Sequence, residues 1–252
     1  MKEGYYKEYS YIYDNIYKNK NYKKEFNFIF KYLKKYSPKA KTILDLGCGT
    51  GSYTKYFAKK KFEITGVDIS KSMIDIAKKK IEKKKNVSFI VKDIRYLKLK
   101  KKFDVVVSLF DVLSFLKYKD DANIFFRNLN FHLKKNGIAI FDFWNQSAVD
   151  KLKPSKRTKI IKNKGFKYIK SSNPVWYKEK KIIKVHFSIK IVNKKDKFIK
   201  NLQGKHYMKY YNIKHIEKLA KKNKLKIMKF FSLSGPRIKR NSWSVLAILR
   251  KN

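Results

Sequence analysis

Ile43-Leu44-Asp45-Leu46-Gly47-Cys48-Gly49-Thr50-Gly51, residues 43–51, is an apolar run that opens into a glycine turn. Thr42–Leu46 has strand character, Gly47–Gly51 forms the turn, and Ser52–Lys60 continues as a helix. Alternate glycines let the backbone take positive φ and approach a ligand closely. In open α/β sheets, ligands bind beyond the carboxyl ends of the strands. The spacing is G-x-G-x-G, with Ser52 following Gly51, rather than the G-x-G-x-x-G of a dinucleotide site. An adenosyl ligand without a diphosphate suits that spacing better than NAD.

The neighbouring sequence repeats the strand-then-helix pattern. Phe62–Val67 is a second strand that ends at Asp68, where a carboxylate can accept both hydroxyls of a ribose. Ser70–Lys84 is a helix with Ser70 as its N-cap. Val87–Lys92 is a third strand ending at Asp93, placed to accept from an adenine amino group. Phe103–Leu109 is continuously apolar, as in a strand buried on both faces. Asp120–Lys134 is a helix that Asn136-Gly137 would stop, and Ile138–Phe143 is a fifth strand. Strands alternating with helices imply a parallel, doubly wound sheet.

The flanks differ. Residues 5–36 are helical and aromatic-rich, ending at Ser37-Pro38. From about Lys159 to Met208, alternating runs such as Ile182–Ile191 and Phe198–Tyr210 lack intervening helices and read as an inserted antiparallel β-ribbon. Ile213–Asn223 is helical, and Lys226–Leu233 and Ser242–Leu249 form a strand pair joined through Ser234-Gly235-Pro236. One domain is expected: a helical cap (1–38), a cofactor-binding core (39–150), a β insertion acting as a lid (151–210), and a helix with a strand pair completing the core (211–252).

The 252 residues are 43% hydrophobic, enough for a sizeable core despite a formal net charge of +46. That charge points towards nucleic acid or an anionic surface. Only six of the 65 basic residues are arginine, however, and arginine dominates phosphate and base recognition. The lysines are spread along the chain together with Asn, Ile, Tyr and Phe, the signature of AT-rich coding. No run reaches the ~18 apolar residues of a membrane span, and MKEGYYKEYS has no secretion-signal character. Cys48 is the single cysteine, which excludes an internal disulfide. A cytoplasmic protein without a dedicated nucleic-acid domain is expected, and a homodimer is kept as an expectation. The four histidines have no metal-ligand spacing, and His186 and His215 read as structural or exposed.

ILDLGCGTG, GVDIS, KDIR, FDVVVSL and LKKNGIAIFDF together resemble the motifs of class I, Rossmann-like S-adenosylmethionine-dependent methyltransferases over residues 40–145 and 213–250. The resemblance implies a seven-stranded sheet with S-adenosylmethionine as cofactor. It implies cofactor contacts at Asp45, Gly47, Cys48, Gly49 and Gly51, at Asp68, Ile69 and Met73, at Asp93 and Ile94, and at Ser108, Leu109 and Phe110. Cys48 itself reads as a small buried filler whose neighbours bind.

The acceptor is set outside this shared core. Tyr13 and Tyr17 are spaced i, i+4 on one helical face, and Tyr22 follows. His132 closes the helix before the fifth strand, and Asp142-Phe143-Trp144 lies beyond that strand. Tyr13-Asp14-x-x-Tyr17, SLFDVLSFL (108–116), FHLKKNG (131–137) and His206-x-Met208 resemble the sugar N-methyltransferases that dimethylate nucleotide-linked 3-amino-deoxysugars. That resemblance implies catalytic roles for Tyr17 and His132 and acceptor contacts from Tyr13, Tyr22, Asp111, Trp144 and His206. It departs after the fifth strand, where Asp142-Phe143-Trp144-Asn145 replaces the group's Glu-Pro-Trp-Trp. For the tyrosines and His206 the alternative is packing, and for His132 it is helix capping; for the function the alternatives are methylation of another small amine or hydroxyl, or of RNA. The base-amino methylases carry an Asn/Asp-Pro-Pro-Tyr/Phe tetrapeptide where this chain has Ser108-Leu109-Phe110-Asp111.

Overall fold

The computed structural model describes residues 3–82, 84–163, 165–233 and 235–252. Ser234, read above as part of a turn, lies outside them. Helices α1 (Glu3–Ile16) and α2 (Tyr22–Tyr36) precede β1 (Thr42–Leu46), α3 (Thr54–Lys59), β2 (Glu63–Asp68), α4 (Lys71–Ile81) and β3 (Val87–Val91). Then come β4 (Phe103–Ser108), α5 (Val112–Phe115), α6 (Asp121–His132), β5 (Leu133–Asn145) and α7 (Gln146–Leu152). Strands β6 (Arg157–Asn163), β7 (Phe166–Tyr177), β8 (Ile182–Asn193) and β9 (Phe198–Tyr211) follow, and α8 (Ile213–Lys222), β10 (Leu225–Ser232) and β11 (Ser244–Lys251) end the chain.

Seven of the described strands form the core in the order β3-β2-β1-β4-β5-β11-β10, the first five parallel and β11 antiparallel to both β5 and β10. Because side chains alternate across a strand, this sheet feeds two cores. Leu44, Leu46, Val106, Ala139 and Phe141 pack on one face against α6 and α8. Ile43, Val105, Val107, Ile138 and Ile140 pack on the other against α2 and α3. The continuous apolar runs thus cover both faces, as a parallel sheet requires. Asp104 fastens β4 to the start of β1 by accepting from the Lys41 and Thr42 amides (3.0 and 2.9 Å) and from the Thr42 hydroxyl (2.8 Å).

Asparagine or serine side chains cap α2, α4 and α8: Asn21 accepts from Lys24 N, Ser70 from Met73 N, and Asn212 from His215 N. The insertion is a four-stranded antiparallel meander, β6 to β9. It is continuous with the core sheet, because β9 runs parallel to the end of β5 at Trp144–Tyr210 and Asn145–Tyr211. Among the described residues no helix is long and apolar enough to cross a membrane.

The largest local departure from the expected elements is at α6. The helix ends at His132 rather than Lys134, and Asn136-Gly137 lies within β5 instead of stopping a helix. Leu133, 1% exposed, pairs with Phe103, and residues 134–137 bulge before Ile138 pairs with Val105. Asn136 absorbs the bulge with φ +62°.

The early helix end buries His132 completely. Its Nε2 accepts from Leu99 N (3.1 Å), which leaves Nδ1 to donate to the Asn128 carbonyl (2.9 Å). Burial holds the imidazole below its ordinary pKa. His132→Ala is therefore expected to destabilise the fold by about 2–4 kcal/mol, since it opens a hole and strands a buried amide. Denaturant unfolding measures this, and cofactor affinity should stay within twofold of wild type.

Candidate cofactor and acceptor site

The turn after β1 folds back onto the end of β2. Gly47 N and Cys48 N both donate to the Val67 carbonyl (2.7 and 3.0 Å). Gly47 (φ +73°) packs so closely on Val112 that a Cβ would meet that side chain at 2.6 Å. Gly49 (φ +53°) faces open space, with nothing within 4 Å of where its Cβ would stand. A side chain there would enter the cavity that a ligand needs. Its amide donates to Asp68 Oδ2 (2.9 Å), while Asp68 Oδ1 accepts from Ser70 N (2.9 Å). Each Asp68 oxygen keeps a lone pair for a ligand hydroxyl. Burial raises the Asp68 carboxyl, and the Ser70 and Gly49 amides oppose that rise. Asp45 lies deeper, bonded to the Thr54 hydroxyl (2.6 Å), and burial pushes it up to about 7. These features fit an adenosyl ligand lacking phosphates.

Asp93 also borders the cavity, yet Arg95 holds both of its oxygens through Nε (3.1 and 3.0 Å) and Nη2 (2.6 Å). Burial favours the neutral acid, and the Arg95 bonds outweigh it, so the carboxyl sits below its ordinary range. A ligand amine must share Asp93 with Arg95.

Helix α1 roofs the site. Asp14 accepts from the Thr50 hydroxyl (2.7 Å) and pairs with Lys80 (2.7 Å), tying α1 to the glycine turn and to α4. Tyr9, Tyr13 and Tyr17 follow one another at i, i+4 along the inner face of α1. Tyr17 stands edge-on to Phe110 (5.1 Å), and its hydroxyl accepts from Lys170 Nζ of β7 (2.9 Å). On the far side His206 stacks on Phe187 (4.6 Å) and meets Phe115 edge-on (5.4 Å). Burial, aided by Lys170, pushes the His206 imidazole down to about 4.

The result is one cavity of about 710 Å³ running from the glycine turn to the insertion. It brings together Asp45, Gly47, Cys48, Gly49, Asp68, Ile69, Met73, Asp93, Ile94, Leu109 and Phe110 from the cofactor set, and Tyr13, Tyr17, Tyr22, Asp111, Trp144 and His206 from the acceptor set. Three expected residues lie elsewhere. His132 is sealed beneath α6, as described above. The Ser108 hydroxyl is buried and bonds the Leu46 carbonyl (3.0 Å), joining β4 to β1. Gly51 packs against Ile81 and Ala77 of α4, beneath the turn.

Further residues line the cavity that the sequence did not single out: Tyr9, Lys117, Arg157, Lys170, Lys205 and Trp243. Tyr9 continues the Tyr13/Tyr17 series and was visible in principle. The cations had no distinguishing mark among 65 basic residues. Arg157 faces the Trp243 ring (5.9 Å), and Lys117 faces Tyr207 (4.5 Å).

Strand order, the turn after β1 and the carboxylate ending β2 give the Rossmann-like fold that solved S-adenosylmethionine-dependent methyltransferases share. Residues 43–137 match the methyltransferase domain family. Among similar proteins, a Streptomyces venezuelae dTDP-3-amino-3,4,6-trideoxy-alpha-D-glucopyranose N,N-dimethyltransferase is 28% identical over 43% of this chain and 44% of its own. A malonyl-[acyl-carrier protein] O-methyltransferase of Bacillus cereus is 35% identical over 52% of this chain and 49% of its own. The chain spans about half the length of the curated relatives it matches. In fold, it superposes with a TM-score of 0.82 on an S-adenosylmethionine-dependent methyltransferase from Clostridium acetobutylicum, at 22% identity and covering 98% of this chain and 99% of the other.

Two outcomes are expected of this site. Asp68→Ala should weaken S-adenosylhomocysteine binding by about 1.5–3 kcal/mol, the order of a charge-assisted hydrogen bond, as read by calorimetry. His206 has a folded pKa of about 4 against an ordinary 6.5, so the unfolded chain binds more protons between those values. Its contribution to stability is present above pH 6.5 and is lost as pH falls towards 4. Melting temperatures across that window should fall less steeply in His206→Gln.

Proposed function

We propose that this protein methylates the amino group of a small, nucleotide-linked sugar, with S-adenosylmethionine as donor. When bound, the donor supplies an activated methyl group whose C–S bond breaks as the acceptor's lone pair bonds to carbon, the electrons remaining on sulfur. Asp68 and the Gly47–Gly49 backbone would hold the adenosyl portion, and α1 would close over it through Asp14 and Thr50. Tyr13, Tyr17 and Phe110 would pack against the acceptor and keep water out. A dry, pre-shaped pocket supplies most of what such a transfer needs, which is orientation.

One observation carries the choice of acceptor. The cavity that the glycine turn borders is also lined by Lys117, Arg157, Lys170 and Lys205 and by Trp144 and Trp243. Cations next to indole rings suit an acceptor bearing a diphosphate and a base. Relatives that act on dTDP-amino sugars support the same reading.

Incubation with labelled S-adenosylmethionine and a nucleoside-diphosphate amino-deoxysugar tests it. Methyl transfer is expected, with KM at least tenfold lower than for the free amino sugar, and Arg157→Ala should narrow that gap. Transfer to malonyl-acyl carrier protein or to RNA, with none to the amino sugar, would overturn the proposal.

A further inference from the structure

The chain turns abruptly after β4. Phe110 (φ +73°) and Asp111 (φ +62°) are successive non-glycine residues in left-handed backbone, and Asp111 lines the cavity just past the glycine turn. Behind it, Asp142 of β5 is 1% exposed. Asp111 N donates to Asp142 Oδ1 (2.8 Å). The Ser244 hydroxyl of β11 donates to Asp111 Oδ1 (2.6 Å) and lies 3.5 Å from Asp142 Oδ2. The Trp144 side chain, beside Asp111, favours its charged form as the Ser244 hydroxyl does. The other charged or titratable groups facing the pair are Lys20 and Glu25, which are paired with each other, and Tyr53, whose hydroxyl donates to Glu25. Among the described residues no cation forms an ion pair with either aspartate.

We propose that Asp111, backed by Asp142, receives the ammonium group of the acceptor and takes its proton before methyl transfer. This rests on the amine reading above. Two adjacent buried carboxyls share one proton more readily than they both ionise. Burial raises Asp111, and burial with the Asp111 charge raises Asp142 further. The singly charged pair is therefore a better proton acceptor than an ordinary carboxylate. In the step, an N–H bond of the ammonium breaks, an O–H bond forms on the pair, and nitrogen recovers its lone pair. After transfer the proton passes to water as product leaves, one per methyl group. Tyr17 is less suited to hold an ammonium, because its hydroxyl already takes a hydrogen bond from the Lys170 ammonium. The cavity wall thus carries both carboxyls, Asp68 and Asp111 among them, and the cations Lys117, Arg157, Lys170 and Lys205. An acceptor bearing both an amine and phosphates meets partners of both signs within one cavity.

The test compares wild type, Asp111→Asn, Asp111→Glu and Ser244→Ala, with a nucleoside-diphosphate amino-deoxysugar and its hydroxyl counterpart as probes. With S-adenosylhomocysteine bound, calorimetry should show Asp111→Asn weakening the amino probe at least tenfold and the hydroxyl probe by less than threefold. Turnover of Asp111→Asn should fall about 10²–10⁴-fold, and the acid limb of its kcat/KM profile should disappear. Asp111→Glu should restore part of the rate. Ser244→Ala, which removes a donor to the carboxylate, should move the acid limb to higher pH, and it carries the test if Asp111→Asn does not fold. Equal weakening of both probes, or an acid limb unmoved in Ser244→Ala, overturns the inference while leaving the function standing. A wild type that binds S-adenosylhomocysteine but methylates no amine overturns both.

Discussion

The junction between the glycine turn and the end of β2 organises the rest of the site. The Val67 carbonyl takes the amides of Gly47 and Cys48, and the Asp68 carboxylate takes the amide of Gly49. These bonds turn the chain sharply at the carboxyl edge of the sheet and set one carboxylate against the turn. They also place Thr50 where Asp14 of α1 can reach its hydroxyl. Cradle, carboxylate and roof therefore share one set of backbone hydrogen bonds. The geometry needs positive φ at Gly47 and open space at Gly49, which a Cβ would obstruct at both positions.

Buried carboxyls gather at the core strands in a way the overall charge does not reveal. The protein is strongly cationic, yet Asp45, Asp68, Asp111 and Asp142 crowd the carboxyl edge of the core strands, all of them pushed upward by burial. Such carboxyls favour a cationic group beside them. The lysines and the arginine that line the cavity come from the insertion and the α5 region. The insertion thus contributes chemistry as well as cover: Lys170 bonds Tyr17, and His206 builds one wall with Phe187 and Phe115.

Much of the core is legible in the sequence. Continuous apolar strands, the G-x-G-x-G spacing and aspartates closing β2 and β3 are local features, and each fell within a residue or two of its place. The Tyr13/Tyr17 pairing was also local, a matter of helical period. His132 was misread because a histidine near a helix end looks the same whether it faces a cavity or a core. Only the early end of α6 and the pairing of Leu133 with Phe103 bury it. Ser108 was misread for a similar reason: its neighbours Leu109 and Phe110 reach the cavity, while its own hydroxyl points to the β1 carbonyl row.

By itself the sequence determined the type of sheet, the position of the turn and the class of ligand, because these depend on hydrophobic period, glycine conformation and the residue ending each strand. Tertiary structure decided which charges meet. The pairing of Lys170 with Tyr17, the reach of Arg95 to Asp121, and the contact of Asp111 with Asp142 and Ser244 join residues from separate strands and helices. No local pattern encodes such meetings, since they arise only when strand order brings distant segments to one edge of the sheet. In a chain with 65 basic residues, the few cations that line the cavity differ from the rest in position alone.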